Sequence, residues 1–337
     1  MVGRITVLWA LSEAALGGVL HALRIPLTGL FIGSSAVIFI SLIGYYSESR
    51  NDIMRSVLIV LLVKAGVSPY TPPAAYFAVS LQGVIGTALF FSKRFYRIST
   101  IVFGIVVLTL SSLQKVILMT LVYGKNLWDS IDQFGVFVTG QLPFVGEIGR
   151  ISLWIIGIYA AIHLYAGLTA GLIASRLPAW IEKAEVEVDM CQIKKENIPV
   201  VEKKKIRRRR MWIRKPSGIL IFILAVAIVI LTYVFPHFSE SVGIKAVIMI
   251  IRSFLIMSVW FFILSPHVLK FYKKFFKEKK GKYSDEVSSA ISLLPVFKSI
   301  VFHNWKKTKG VFIIRRIKLF LVTTFVCIFK VEIGDRE

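Results

Sequence analysis

The sequence predicts an all-helical integral membrane protein. The expected architecture is a six-helix transmembrane bundle, then two to three further membrane helices and a cytosolic amphipathic helix. Three observations carry this expectation. Of 337 residues, 56% are hydrophobic, and the mean hydropathy is +0.72, far above that of a chain that keeps a polar shell in water. The apolar residues come in long runs, as a bilayer core of about 30 Å asks of a helix of about 20 residues, and a helix satisfies its own backbone in lipid. The formal charge of +23 gathers at the ends of those runs, the pattern of the positive-inside rule. It does not interleave with exposed aromatic residues, so nucleic acid is not an expected partner.

The first span covers Ile5 to Leu23 and closes at Arg24-Ile25-Pro26. Met1 to Leu23 has the length of a signal peptide but no clear cleavage site, and it carries Glu13 and His21, so it reads as a retained helix. The second span runs from Leu27 to Tyr45, before the polar turn Ser47 to Asp52. The third, Ile53 to Gly66, is short and reaches Lys64; the prolines Pro69, Pro72 and Pro73 then break it. The fourth is Ala74 to Phe91, ending in Lys93-Arg94-Phe95-Tyr96-Arg97. The fifth, Ile98 to Tyr123, holds Gln114 and Lys115. A loop is expected from Gly124 to Gly146, and a sixth span from Ile148 to Ile173.

The composition then changes. Arg176 to Pro216 is polar, acidic at first (Glu182, Glu185, Glu187, Asp189) and basic from Lys203 to Arg210. Three segments follow from this: a six-helix membrane domain over 1–176, a charged cytosolic linker over 177–216, and a membrane domain with amphipathic cytosolic helices over 217–337. The last contains spans at Gly218 to Phe235 and Val242 to Leu264, a basic stretch from Lys270 to Gly310, and a short apolar run, Leu319 to Phe329, that either crosses the bilayer or lies in its interface. Placing both basic blocks in the cytosol sets the N-terminus there too and puts the protein in the cell's inner (cytoplasmic) membrane, with anionic lipids as partners of the basic segments. Cys191 falls in the linker and Cys327 in an apolar run, so no disulfide is expected and no metal-ligand spacing exists.

Several residues could carry function. Ala10, Ala14, Gly18 and Ala22 recur at steps of four and let a second helix approach closely, either inside the domain or on a partner subunit. Glu13, His21, Gln82, Gln114, Lys115, Glu147, Arg150 and His163 lie inside or at the rim of spans, where polar groups face a cavity or one another. The loop from Gly124 to Gly146, with Trp128, Asp129, Asp132 and Gln133, suits either a lid over a small heterocyclic solute or an aromatic belt. Val287 to Trp305 is amphipathic, with Ala290, Leu293, Leu294, Phe297, Val301 and Trp305 on one face and Ser288, Ser292, Ser299, His303 and Lys306 on the other. Pro295 is expected to kink or divide it. This helix either lies on the bilayer or meets a soluble motor subunit. No GxxxxGK[ST], HExxH or GxSxG occurs, so neither an ATPase nor another enzyme is expected, and no cofactor.

On these residues the first six spans resemble the substrate-capture (S) component of energy-coupling-factor (ECF) transporters. That family has six helices, cytosolic ends and small residues at steps of four in its first helix, here Ala10, Ala14, Gly18 and Ala22; Lys64-Ala65-Gly66 through Gly83-Val84-Ile85-Gly86 is similar to its third loop and fourth helix. Residues 215–329 resemble a reduced transmembrane coupling (T) component. Ser292-Leu293-Leu294-Pro295 through Gly310 is similar to its coupling helix, although the end reads Thr308-Lys309-Gly310 where the family has an Ala-Arg-Gly-like motif, and the family's T component usually has more spans. The resemblance implies capture of a vitamin-like solute from the outer face by Arg24, Tyr70, Gln82, Asn126, Trp128, Asp129 and Glu147. It implies coupling through Pro295, Lys307, Lys309 and Gly310 to separate ABC-type ATPase subunits, or docking on a separate membrane coupling subunit. Val2 follows Met1, whereas the nickel and cobalt branch begins Met-His, so a metal substrate is not expected. The alternatives from the residues alone are a secondary transporter, or a non-transport membrane scaffold with a basic cytosolic tail.

Overall fold

The structure, a computed structural model, describes residues 1–16, 27–49, 51–67, 73–141, 150–184, 223, 242–259 and 265–330. Among these, all regular structure is helical. In chain order the helices are α1 Val2–Leu11, extended by a π-helical turn Ser12–Leu16, α2 Thr28–Tyr46, α3 Asn51–Val67 and α4 Pro73–Leu89. A short 3-10 turn, Lys93–Phe95, leads into α5 Tyr96–Tyr123; α6 Lys125–Gly140 and α7 Ile151–Glu182 follow. The last three are α8 Val242–Val259, α9 Ser265–Lys307 and α10 Ile313–Lys330.

Among the described residues three helical segments are long and apolar enough to cross a membrane: Thr28–Tyr46, Lys93–Tyr123 and Ile151–Glu182. Ala74–Leu89 and Val247–Val259 are apolar but shorter. The expected third span, α3, has 17 residues and carries Asp52, Arg55 and Lys64, so it falls outside that class. The expected spans at Leu27 to Tyr45 and Ile98 to Tyr123 match α2 and α5 closely, because each is an apolar run bounded by polar turns.

Four expectations need correction. Within the loop expected from Gly124 to Gly146, residues 125–140 instead form α6, and 142–146 lie outside the described residues. Leu127, Ile131, Phe134 and Val138 repeat at helical spacing, and no proline interrupts them. The sixth span does not end near Ile173: α7 runs through Arg176 and Pro178 to Glu182. Pro295 does not divide the amphipathic segment, which lies inside the 43 residues of α9. Its buried face is Val287, Ala290, Phe297, Ile300, Asn304 and Thr308, whereas Trp305 is exposed. The expected seventh span, Ile223 apart, and the basic block at Lys203 to Arg210 lie outside the described residues.

The chain forms two compact units. The first comprises Met1–Ser111, His163–Val201 and Phe276–Glu337; the second comprises Ser112–Ile162 and Glu202–Phe275. Phe276–Glu337 thus groups with the N-terminal helices.

In the first unit α1 packs on α2 and α3, and α4 on α2 and α3. The side-chain pairs fix direction. Thr6 bonds Ser56 at 2.8 Å and Glu13 meets Lys64 at 2.6 Å, so α1 and α3 run parallel. Gly83 seats Val57 and Tyr76 lies under Lys64, so α3 and α4 run antiparallel. Ser47 and Asp52, bonded at 2.8 Å, tie the α2–α3 turn, and the Asp52 carboxylate favours the α3 N-terminus. Where α5 crosses α7, a Cβ on Gly104 would collide with the Gly167 carbonyl oxygen and lie 3.1 Å from the Gly171 nitrogen, so glycine is required for this backbone approach.

α10 belongs to this unit's core. Seven consecutive residues, Val322 to Ile328, are buried. Arg4 donates to the carbonyls of Ile328 at 2.7 Å and Phe329 at 2.8 Å, a cation on a helix C-terminus. Phe39 stands edge-on to Phe325, and Tyr46 to Phe329. α9 is held by the Arg55 to Glu286 ion pair and by Asn304 donating to Thr324 at 3.4 Å.

In the second unit Asp132 of α6 caps α7, accepting from the Ser152 backbone N–H at 2.6 Å and its hydroxyl at 2.9 Å. Gly124, with φ of +77°, makes the left-handed turn between α5 and α6, and the Arg252 guanidinium fills the space a side chain there would take. α8 packs on α6.

Candidate functional site

The chemistry in the first unit centres on one buried ion pair. α1 opens into a π-helical turn at Ser12–Leu16, an irregularity that concentrates at functional sites because it re-aims side chains. Glu13 lies on that turn and is 2% exposed; Lys64 of α3 is 4% exposed. Glu13 Oε2 accepts from Lys64 Nζ at 2.6 Å. Lys64 is the fourteenth residue of α3, about 20 Å along it at 1.5 Å per residue, so its charge sits near the far end of the helix. Its ammonium is 6.0 Å from the centre of the Tyr76 ring, at the outer limit of cation–π attraction.

Other buried polar atoms lie on the same group of helices. Among the described residues, Glu13 Oε1 has no hydrogen-bond partner, and neither has Trp9 Nε1, one turn earlier on α1. Ser12 and Ser35 share a hydroxyl contact of 3.0 Å beside Glu13. Gln82 is buried, and its Oε1 is also without a partner among the described residues. The parallel contacts Ile40 to Gly86 and Gly44 to Phe90 put Gln82 level with Ala36, next to Ser35. Two acceptors and one donor are therefore left open in a buried setting, where an unmade hydrogen bond costs about 1–3 kcal/mol. A small solute bearing N–H and carbonyl groups complements such a set. No three of His, Cys, Asp and Glu come together as metal ligands among the described residues.

The residues expected at a site fall in different places. Arg24, Tyr70 and Glu147 lie outside the described residues, as do His21, Gly18 and Ala22. Gln82 is in the first unit; Asn126, Trp128 and Asp129 open α6 in the second. Trp128 donates to the Thr120 hydroxyl at 2.9 Å, and Asp129 is exposed. Ala10 and Ala14 are buried inside the chain's own bundle, so internal packing accounts for them. Gly310, with φ of +91°, stops α9 as a left-handed glycine does, Lys307 and Lys309 are exposed beside it, and Pro295 is half-buried in α9. Lys115 is exposed on α5 and His163 is buried. The Glu13–Lys64 pairing was missed, although opposite charges in two apolar runs were the available signal.

Comparison with known protein families, curated proteins and solved structures finds no match to this chain. What fold and site define is an all-helical protein with, among the described residues, three helices of membrane-crossing length and a buried carboxylate–ammonium pair.

Proposed function

We propose that the protein is the membrane component of an ATP-driven, ECF-type importer that captures a vitamin-like solute from the outer face. The observation that carries this is the buried Glu13–Lys64 pair, with open polar atoms on Glu13 itself and on Trp9 and Gln82 of the same bundle. Charge inside a membrane-resident bundle is costly and marks solute or ion pathways. On this reading the chain is multi-pass in the cytoplasmic membrane with its N-terminus in the cytosol, which the basic residues Arg4, Lys93, Arg94 and Arg97 support. Energy comes from separate ABC-type ATPase subunits, because the sequence holds no phosphate-binding loop. The exposed lysines Lys306, Lys307 and Lys309 at the end of α9 are the candidate contact. A secondary transporter is the second reading, favoured by one observation: the second oxygen of buried Glu13 is open to a proton or ion.

The test has two arms. Tagged protein drawn from native membranes should co-isolate an ABC-type ATPase. A panel of vitamin-like solutes should contain one that raises the unfolding temperature of the wild type and not of Glu13→Gln. If no ATPase co-isolates and uptake of that solute collapses with an ionophore but survives ATP depletion, the secondary carrier replaces the importer. If no solute acts and no ATPase co-isolates, the capture reading fails.

A further inference from the structure

The first unit has an open groove of about 800 Å³ between the end of α7 and the start of α10. Trp180 and Lys183 form one wall; Phe312, Arg315, Lys318 and Leu319 form the other. Lys318 Nζ stands 4.7 Å over the Trp180 ring, which fixes both side chains in the groove. Among the described residues the ion pairs are Arg55 to Glu286 and Lys64 to Glu13, so Lys183, Arg315 and Lys318 have no counter-ion there. Phe312, in the groove wall, is 75% exposed, and the next two residues, Ile313 and Ile314, which lie outside the lining at the groove's edge, are 65% and 72% exposed. Three cations next to three bare apolar side chains need an occupant that is anionic at one end and apolar at the other.

The position of the groove identifies that occupant. α7 is one of the three helices of membrane-crossing length, and Trp180 and Lys183 stand at its C-terminal end. Tryptophan and lysine at the end of a span lie where hydrocarbon gives way to headgroups. We propose that the groove binds the phosphate-bearing headgroup of an anionic phospholipid. Lys183, Arg315 and Lys318 hold the headgroup, and Phe312, Ile313 and Ile314 lie against the acyl chains. An acidic peptide would satisfy the cations but leave the apolar triplet in water. The inference rests on membrane residence and not on the capture of a solute, so the two can fail separately.

Native mass spectrometry of the full chain in detergent tests it, with phosphatidylglycerol and phosphatidylcholine as the probes. The expected result is retention of phosphatidylglycerol at least tenfold tighter than phosphatidylcholine. Lys318→Gln should weaken that preference about fivefold, the usual effect of one cation near a lipid surface, and adding Lys183→Gln and Arg315→Gln should abolish it. If the triple variant does not fold, Lys318→Gln alone decides. The control Lys93→Gln/Arg94→Gln/Arg97→Gln removes equal charge elsewhere and should keep the preference. Equal retention of both lipids overturns the proposal, and so does an equal loss in the control, which would mean unspecific charge. Displacement by millimolar inorganic phosphate overturns it in favour of a free-anion site. A tenfold rise in lipid binding on neutralising Glu185, Glu187 and Asp189 overturns it in favour of the chain's own acidic run.

Discussion

Removing one member of the Glu13–Lys64 pair should destabilise the protein far more than removing both. At 2.6 Å, with an effective dielectric of about 20, the attraction is about 6 kcal/mol. Each ion loses several kcal/mol of hydration on burial, so the pair as a whole contributes little net stability. Lys64→Met deletes the attraction and leaves the Glu13 charge buried with both oxygens in want of a donor. The expected cost is about 3–5 kcal/mol, or a fall in Tm of about 6–20 °C at roughly 2–4 °C per kcal/mol. Glu13→Met strands the ammonium and should cost a similar amount. The double variant Glu13→Met/Lys64→Met removes both charges for side chains of similar volume and should recover most of the loss. Thermal unfolding in detergent, followed by tryptophan fluorescence, measures all four corners of the cycle. A double variant as unstable as the two single losses added together would refute the reasoning, because the charges would then act independently. So would a Lys64→Met protein that unfolds at the wild-type temperature.

Two further predictions concern packing and capping. Gly104→Ala drives a Cβ into the Gly167 carbonyl and should cost about 1–3 kcal/mol by overpacking, whereas Gly157→Ala, where a Cβ meets nothing within 4 Å, should be neutral or stabilise by about 0.5–1 kcal/mol; thermal unfolding that shows no difference between them would contradict the α5–α7 crossing. Asp132→Ala removes both bonds to Ser152 and should cost about 0.5–2 kcal/mol, the usual value of a helix cap; amide hydrogen exchange should quicken in the first turn of α7, and unchanged protection there would dismiss the cap.

Helix class and the long apolar elements were legible from composition and run length. α2 and α5 have polar turns at both ends, so their limits could be read directly. α6 was not legible as a helix because it is too short and too polar to read as a span, and its apolar stripe comprises only four residues. The end of α7 lies beyond the expected one because the composition turns polar from Arg176, yet the helix continues through Arg176 and Pro178. The small residues on α1 stand out by spacing alone, whereas among the described residues the glycines that bring two backbones together are Gly104, Gly167 and Gly171. Glycine spacing within one helix cannot name the helix that will lie against it.

The sequence by itself determined that the chain is helical and rich in runs of membrane-crossing length, since burying backbone in an apolar medium leaves few other options. It also marked Glu13 and Gln82 as polar groups in apolar surroundings. Only the tertiary structure decided how the charge is met. α1 and α3 run parallel, so Glu13 and Lys64, far apart in the chain, come to 2.6 Å. The same holds for α10, whose seven buried residues and contact with Arg4 place it in the first unit's core. Such pairings depend on which helix faces are adjacent, and that is settled by side-chain fit between elements rather than by the period of any one of them.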